Sequence, residues 1–134
     1  MLHWDGSTWT ERADGLAAAC SPTRSDLYVT ALGGTGAKDV WAVGSFCEKT
    51  PFAAHWDGTS WTLKTEGFTN TADLEALAVR GKHVYAVGVG VHHWNGKKWE
   101  ELPAPSGAVI RSVAVTKDSL WVGDQNGTIY QRGL

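Results

Sequence analysis

Apolar and polar residues follow one another along this chain in short stretches that have the pattern of β-strands. The stretch from Val40 to Gly44 alternates aromatic and β-branched side chains and is apolar on both of its faces. This pattern predicts a strand that is packed on both sides. Leu74, Leu77 and Ala78 have a partly helical spacing, but the repeat around them assigns residues 71–80 to a strand as well. We therefore expect a chain that is built from strands.

Two short motifs recur in strict alternation. The first reads His-Trp-Asp/Asn-Gly-x-x-Trp and occupies residues 3–9, 55–61 and 93–99, with a degraded fourth copy at 130–133. The second reads Val-Trp/Tyr-Ala-Val-Gly and occupies residues 40–44 and 84–88, with a weaker version at 120–123. Successive copies lie about 36 to 52 residues apart, which is the spacing expected of propeller blades.

The Asp-Gly and Asn-Gly pairs of the first motif predict tight hairpin turns. An Asp or Asn side-chain oxygen accepts hydrogen bonds from backbone N–H groups about two residues further on, and this holds the turn. If Asp57 to Ser60 form the loop, Trp56 and Trp61 face each other across the hairpin. We assign a structural role to the equivalent pair in each copy: Asp5 and Gly6, Asp57 and Gly58, Asn95 and Gly96.

These signals combine into units of four antiparallel strands, A to D. The Val-Trp-Ala-Val stretch is strand B, and the two tryptophans of the hairpin end strand C and begin strand D. Such sheets, stacked face to face around an axis, are the blades of a β-propeller. We predict an all-β propeller with about three four-stranded blades and thirteen strands in a single unit over residues 1–134. Its parts are strands C and D at 1–12, blades at 26–66 and 74–102, and strands A to C at 108–134.

The alternation of Asp-Val-Trp-Ala-Val-Gly (39–44) with His-Trp-Asp-Gly-x-x-Trp (55–61) resembles the repeats of large bacterial β-propeller proteins. The hairpin motif is also similar to the Asp-box (BNR) turn of sialidase-like propellers and to the blades of fucose-binding propeller lectins. The resemblance implies a propeller over nearly the whole chain and says little about function. Sialidase-type catalysis implies clustered arginines, and the arginines here do not recur at one blade position. The Arg and Glu that the lectins use to bind sugar have no clear counterpart either.

Three blades are too few to close a ring, because propellers close with four to eight. An open arc leaves unpaired strand edges and exposed blade faces. We therefore expect either that a second copy completes the ring, as a homodimer, or that this chain is part of a longer protein. The length of 134 residues by itself would favour a finished monomer.

Charge and composition limit the classes of partner and of activity that we expect for this chain. The formal net charge is −2 and the isoelectric point is near 6.2, which excludes a basic field for nucleic acid or an anionic membrane. No apolar run reaches the length of a membrane span, and the residues Met1 to Asp5 do not read as a signal peptide. Nucleophile, phosphate-loop and zinc-protease motifs are absent, so we expect neither an enzyme nor a cofactor.

The connections from strand D to A and from B to C emerge on one face, which we call the long-loop face. They comprise residues 13–26, 45–52, 65–73 and 103–107, and function concentrates on such loops. Our first hypothesis is a non-catalytic module that binds a protein or other macromolecule there. The candidate contacts, with the three Phe as exposed anchors or as local caps over the core, are Arg24, Phe46, Glu48, Lys49, Phe52 and Phe68.

The tryptophans support a second hypothesis. Trp9, Trp61 and Trp99 begin strand D and, if partly exposed, would be stacking surfaces for sugars in a lectin. We favour packing between blades for these three residues as well. We expect Trp41 and Trp121, in strand B, to lie in the core. A third hypothesis is a fragment of a sialidase-like or other propeller enzyme whose chemistry lies elsewhere.

Cysteines and histidines suggest little chemistry. Cys20 and Cys47 fall on the long-loop face beside the same blade, so a disulfide is plausible, as are two free thiols. A disulfide would favour an extracellular or periplasmic location. His3, His55 and His93 take the same position in different units, so they do not converge, and we predict no metal site.

Overall fold

The computed structural model describes residues 2–11, 16, 27–46, 50–69, 73–105 and 107–134. All regular structure in these ranges is β-strand, and there are thirteen strands. They are β1 (Leu2–Trp4), β2 (Trp9–Glu11), β3 (Leu27–Gly36), β4 (Asp39–Phe46), β5 (Thr50–Trp56), β6 (Trp61–Leu63), β7 (Leu74–Arg80), β8 (His83–Gly88), β9 (Gly90–Trp94), β10 (Trp99–Leu102), β11 (Ile110–Val115), β12 (Ser119–Asp124) and β13 (Ile129–Gly133).

The strands pair in four antiparallel sheets, each in chain order. The N-terminal hairpin is β1–β2, blade 1 is β3 to β6, blade 2 is β7 to β10, and blade 3 is β11 to β13. The sheets contain two, four, four and three strands in chain order, which confirms the predicted all-β fold of about three blades. The segment whose apolar residues have a partly helical spacing, Leu74 to Arg80, is a strand as predicted, β7.

Neighbouring blades pack face to face. Because side chains alternate along a strand, Val84 and Tyr85 of β8 point to opposite faces of blade 2. Val84 joins the cluster between blades 1 and 2, with Trp41, Val43, Ala53, Leu74, Ala86, Trp94 and Trp99. Tyr85 joins the cluster between blades 2 and 3, with Val87, Val91, Ile110, Leu120 and Val122. The first strands of successive blades, β3, β7 and β11, contact one another, so they lie along the inner side of the arc.

The two ends of the arc differ from its interior. On the outer side of blade 1, Ala42, Phe52 and Ala54 form a small cluster with Leu16 and Trp61 against it. On the outer side of blade 3, Trp121 is 38% exposed, although its repeat equivalent Trp41 is buried. The prediction that Trp121 lies in the core is wrong, because no further sheet stacks on that face among the described residues.

Strands extend further than the loop-forming residues suggest. Residues 33–36, which contain three glycines typical of a loop, belong to β3. A Cβ on Gly34 would lie 2.3 Å from the Asp39 main-chain oxygen, so this close pairing requires glycine. Residues 45–52 were predicted as a long B-to-C loop, but β4 continues to Phe46 and β5 begins at Thr50. In the part of the chain that the structure describes, no helix has the length and apolar character to span a membrane.

Candidate functional site

The motif turns are held as predicted. Asp57 Oδ1 accepts hydrogen bonds from the backbone N–H groups of Thr59 (2.8 Å) and Ser60 (2.9 Å). Asp5 does the same with residues 7 and 8, and Asn95 with residues 97 and 98, over 2.8 to 3.0 Å. Since Asn95 has no charge and makes the same bonds, geometry rather than charge holds the turn.

These bonds also explain the acidity of the turn carboxylates. Backbone donation from Ser60 and Thr59 lowers the pKa of Asp57, and donation from Thr8 and Ser7 lowers the pKa of Asp5. The following glycines, Gly6, Gly58 and Gly96, have φ between 98° and 105°, where glycine is favoured. Each turn therefore uses its Asx oxygen on its own backbone, which supports a structural role.

The two tryptophans of each hairpin face each other. Trp56 pairs with Trp61 in the register, as predicted, and their ring centroids are 5.7 Å apart. The equivalent pairs, Trp4 with Trp9 and Trp94 with Trp99, have centroids 5.6 and 5.7 Å apart. Sequence reasoning thus placed these pairs correctly within each sheet.

The three strand-D tryptophans differ in burial, because the neighbouring sheets cover them to different extents. Trp9 is 65% exposed, Trp61 is half-buried, and Trp99 is 1% exposed. The Trp99 indole N–H donates to the main-chain oxygen of Lys64 (2.6 Å), and the Phe68 ring stacks on Trp99 with centroids 5.0 Å apart. Trp99 therefore packs between blades, which is the interpretation that the sequence favours, and the lectin hypothesis is wrong to use this ring as a stacking surface for a sugar.

The phenylalanines do not form an exposed anchor patch. Phe52 is fully buried, so the expectation of an exposed ring there is wrong. Phe46 is half-buried and stands edge-on to Phe52, at 6.4 Å between centroids. Phe68 covers Trp99. All three cap the core locally, which is the alternative that the sequence left open. The remaining candidates, Arg24, Glu48, Lys49 and the pair Cys20 and Cys47, lie outside the described residues.

A groove on the long-loop face was not singled out from the sequence. It has a volume of about 540 Å³ and lies between the β8–β9 turn and the connection that follows β10. Its walls include Val89, Gly90, Glu101, Leu102, Pro103 and Pro105. We call it the loop-face groove. The two prolines within residues 103–107 were the available signal, since proline holds a connection in a rigid extended shape.

The groove offers apolar surface with one charge at its rim. Val89 is 49% exposed although it is apolar. The Glu101 carboxylate accepts a hydrogen bond from the Thr69 hydroxyl (3.0 Å), which fixes its position. This combination suits an apolar side chain beside a basic one.

The histidines serve separate structural contacts. His55 Nε2 lies 2.8 Å from Asp39 Oδ1. The pKa of Asp39 is lowered first by the Thr35 hydroxyl and then by His55. His93 stacks on Tyr85 at 4.7 Å between centroids, and burial lowers its pKa. Nowhere in the described ranges do three His, Cys, Asp or Glu side chains gather as metal ligands.

Comparison with solved structures identifies the architecture. The chain superposes on a β-propeller protein, YCF48 bound to D1 peptide, with a TM-score of 0.69 at 16% sequence identity. The chain is a partial β-propeller. The match covers 81% of this chain and 38% of that one, so this propeller segment spans well under half of that protein's length. No protein-family model matches the chain, and no curated protein matches it.

Proposed function

We propose that this chain is a non-catalytic β-propeller module that binds a short segment of a protein partner in the loop-face groove. The observation that carries the proposal is the groove itself. It has a volume of about 540 Å³ and largely apolar walls, and it lies between two connections of blade 2. Its size lies in the range of sites that bury a ligand's side chains. Binding sites are commonly placed on loops that a rigid scaffold holds.

Two features support a peptide as the ligand. Val89 and the prolines 103 and 105 offer apolar contacts, and Glu101 at the rim adds a negative charge for a Lys or Arg. YCF48, which shares the fold, has a structure bound to D1 peptide, and this makes a peptide a natural class of ligand to test. The non-catalytic part of the proposal is supported by the motif turns, whose acidic side chains bond to their own backbone.

The carbohydrate alternative has less support. A lectin with a site in each unit needs equivalent stacking surfaces, but Trp99 is buried and only Trp9 among the three strand-D tryptophans is largely exposed. The alternative of an enzyme fragment places the catalytic chemistry in another part of a longer protein. The lectin alternative is an outcome of the experiment that follows.

A phage-displayed library of random short peptides, panned on the folded chain, tests the proposal. We expect the selected peptides to combine apolar residues with Lys or Arg and to lose at least about tenfold in affinity on Val89→Glu. Val29→Glu is the matched control, because Val29 is 47% exposed, close to the 49% of Val89, and does not line the groove.

Equal affinity for the wild type and Val89→Glu would place the binding elsewhere and refute the groove as the site. A failure to select peptides, together with glycan-array binding that Trp61→Ala abolishes in a folded protein, would favour the lectin hypothesis instead.

A further inference from the structure

One pair of polar side chains recurs at the same position in blades 1, 2 and 3. Its first member stands just before the apolar start of the second strand of the blade, and its second member stands on the third strand. In blade 1 the pair is Asp39 and His55, with 2.8 Å between Asp39 Oδ1 and His55 Nε2. In blade 3 it is Ser119 and Gln131, whose side-chain amide donates to the serine hydroxyl over 3.0 Å. In both of these blades the pair bonds within itself.

Blade 2 has two histidines at this position. The rings of His83 and His93 stack with their centroids 5.7 Å apart, and the His93 ring also stacks on Tyr85. The Nε2 atom of His93 is buried and has no hydrogen-bond partner in the described part of the chain. Where blade 1 gives its histidine a carboxylate, blade 2 therefore gives it a second base, which becomes positively charged when it binds a proton.

A pocket of about 270 Å³ opens beside this histidine pair. It lies on the rim opposite the loop-face groove, where the A-to-B and C-to-D turns of blade 2 emerge. We call it the histidine pocket. Its lining residues all belong to blade 2, and they are Lys82, His83, His93, Trp94, Asn95 and Gly96.

Comparison with blade 1 shows that the pocket is a property of blade 2 itself. In blade 1 the lysine stem packs over the turn, since a Cβ on Gly58 would lie 2.6 Å from Lys38 Cγ. A Cβ on the equivalent Gly96 would have no atom of the described chain within 4 Å, so this space is open in blade 2. A neighbouring blade with all four strands does not close the position. Beside blade 2, the side chains of Asp39 and His55 remain 36% and 26% exposed.

Positive charge surrounds the histidine pocket. Lys82 lines it, and the exposed Lys97 and Lys98 occupy the C-to-D turn beside it. Glu100 faces His93 in the register of β9 and β10, but its carboxylate accepts a hydrogen bond from the side-chain amide of the turn residue 95 over 2.6 Å. This arrangement favours an anion as the ligand, because three lysines stand against one carboxylate that is already engaged.

The state of His93 agrees with an anion as the ligand. Burial lowers the pKa of His93, the charge of His83 lowers it further, and Glu100 raises it. The other groups that face it are Tyr85, on which it stacks, and Arg132 of blade 3, which acts electrostatically on Tyr85. An anion beside both histidines offsets their repulsion, so anion binding and protonation favour each other.

We propose that the histidine pocket binds an oxyanion of the sulfate, phosphate or carboxylate type, which Lys82 and the protonated His83 hold against His93. The anion takes, from outside the chain, the part that the Asp39 carboxylate plays for His55 in blade 1. Hydrogen bonds between charged donors and oxyanions are short and strong, which suits so small a site. This inference is independent of the proposed peptide site, which lies on the opposite rim.

Titration of the 134-residue chain with sodium sulfate, followed through the NMR signals of the histidine rings, tests the proposal. Sulfate keeps its charge between pH 6 and pH 8, so a change in its affinity reports on the protein. At pH 6 we expect saturable shifts of the His83 and His93 signals that sodium chloride of equal ionic strength does not produce. At pH 8 the affinity is expected to fall at least about tenfold, because an ordinary imidazole loses its proton near pH 6.5.

Two variants test the site directly. Lys82→Glu and His83→Asp are each expected to raise the dissociation constant of sulfate at least about tenfold. His83→Asp rebuilds the Asp–His pair of blade 1, so it supplies the negative charge from within the chain. Lys117→Glu is the matched control for Lys82→Glu, because it makes the same change of charge on the exposed A-to-B turn of blade 3. We expect it to change the affinity less than about twofold, since salt screens distant charges. Circular dichroism confirms that each variant is folded.

A short peptide that carries one phosphoserine distinguishes the source of the oxyanion. Tighter binding of the peptide than of sulfate would support a side chain of a partner as the natural ligand. Equal or weaker binding that still shifts both histidine signals would support a free ion.

Histidine shifts that are the same in sulfate and in chloride would overturn the proposal. So would an unchanged affinity in Lys82→Glu or His83→Asp, or a loss of equal size in Lys117→Glu, because the charge of the whole chain would then attract the anion. Val89→Glu is expected to bind sulfate like the wild type, so this proposal and the proposed peptide site can fail separately.

Discussion

Replacing Trp99 with alanine is expected to destabilise the fold far more than the same change at Trp61 or Trp9, although the three residues are equivalent in the repeat. Trp99 is 1% exposed and lies within 6 Å, between ring centroids, of three aromatic rings: Trp41 at 5.9 Å, Trp94 at 5.7 Å and Phe68 at 5.0 Å. Alanine there leaves a large cavity between blades 1 and 2.

The size of the effect follows from burial. Truncating a buried tryptophan to alanine costs about 3–5 kcal/mol, which is a large share of the 5–15 kcal/mol that stabilises a typical domain. The half-buried Trp61 is expected to cost less, and the mostly exposed Trp9 less than about 1 kcal/mol. Trp99→Phe keeps most of the packing but removes the indole N–H that bonds to Lys64, so we expect an intermediate loss.

Urea unfolding of the four variants, followed by far-ultraviolet circular dichroism, measures this series. With a slope of about 1–3 kcal/mol per M, the loss at Trp99 moves the midpoint by roughly 2 M. The slope itself is expected to stay constant. Equal midpoint shifts for Trp9, Trp61 and Trp99 would refute the reasoning, because they would mean that repeat position rather than contact with the neighbouring blade sets the stability.

Three further predictions concern backbone approach and charge. Gly44→Ala is expected to cost about 1–3 kcal/mol in urea unfolding, because its Cβ would lie 1.8 Å from a main-chain oxygen of β3, whereas Gly36→Ala, with no atom within 4 Å, is expected to be near neutral. The pKa of Asp57 is lowered in the folded chain, so this carboxylate adds stability above its ordinary pKa of 3.8, and the added stability is lost as the pH falls through the folded pKa. Asp57→Asn is expected to keep the turn at pH 7 and to lessen this acid sensitivity. An acid-unfolding curve that is the same as that of the wild type would contradict the prediction. Burial lowers the pKa of His93 from 6.5, so the unfolded chain binds a proton more readily than the folded chain, and stability falls below about pH 6.5. His93→Phe keeps an aromatic ring on Tyr85 and removes the titrating group. The melting temperature of this variant is expected to change less between pH 7 and pH 5 than that of the wild type.

Local chemistry made most of the fold predictable. The Asx-Gly turns hold themselves through bonds over two or three residues, so their geometry could be inferred from the letters alone. The same holds for the tryptophan pairs, because a four-residue loop sets the register of its hairpin. The order of strands followed from the alternation of two motifs. The three glycines of residues 33–36 do not identify a strand by themselves, because glycine is common in loops and also allows two strands to pair closely.

The candidate site was less predictable, because burial depends on what the next sheet supplies. Trp41 and Trp121 stand at one repeat position, yet blade 2 covers the first and no described sheet covers the second. Trp99 is buried by Lys64 and Phe68, which lie more than thirty residues earlier in the chain. The repeated motifs therefore determined the strands, turns and pairs. Only the tertiary arrangement decided which equivalent side chains are covered, since that depends on contacts between different sheets, and where the loop-face groove opens.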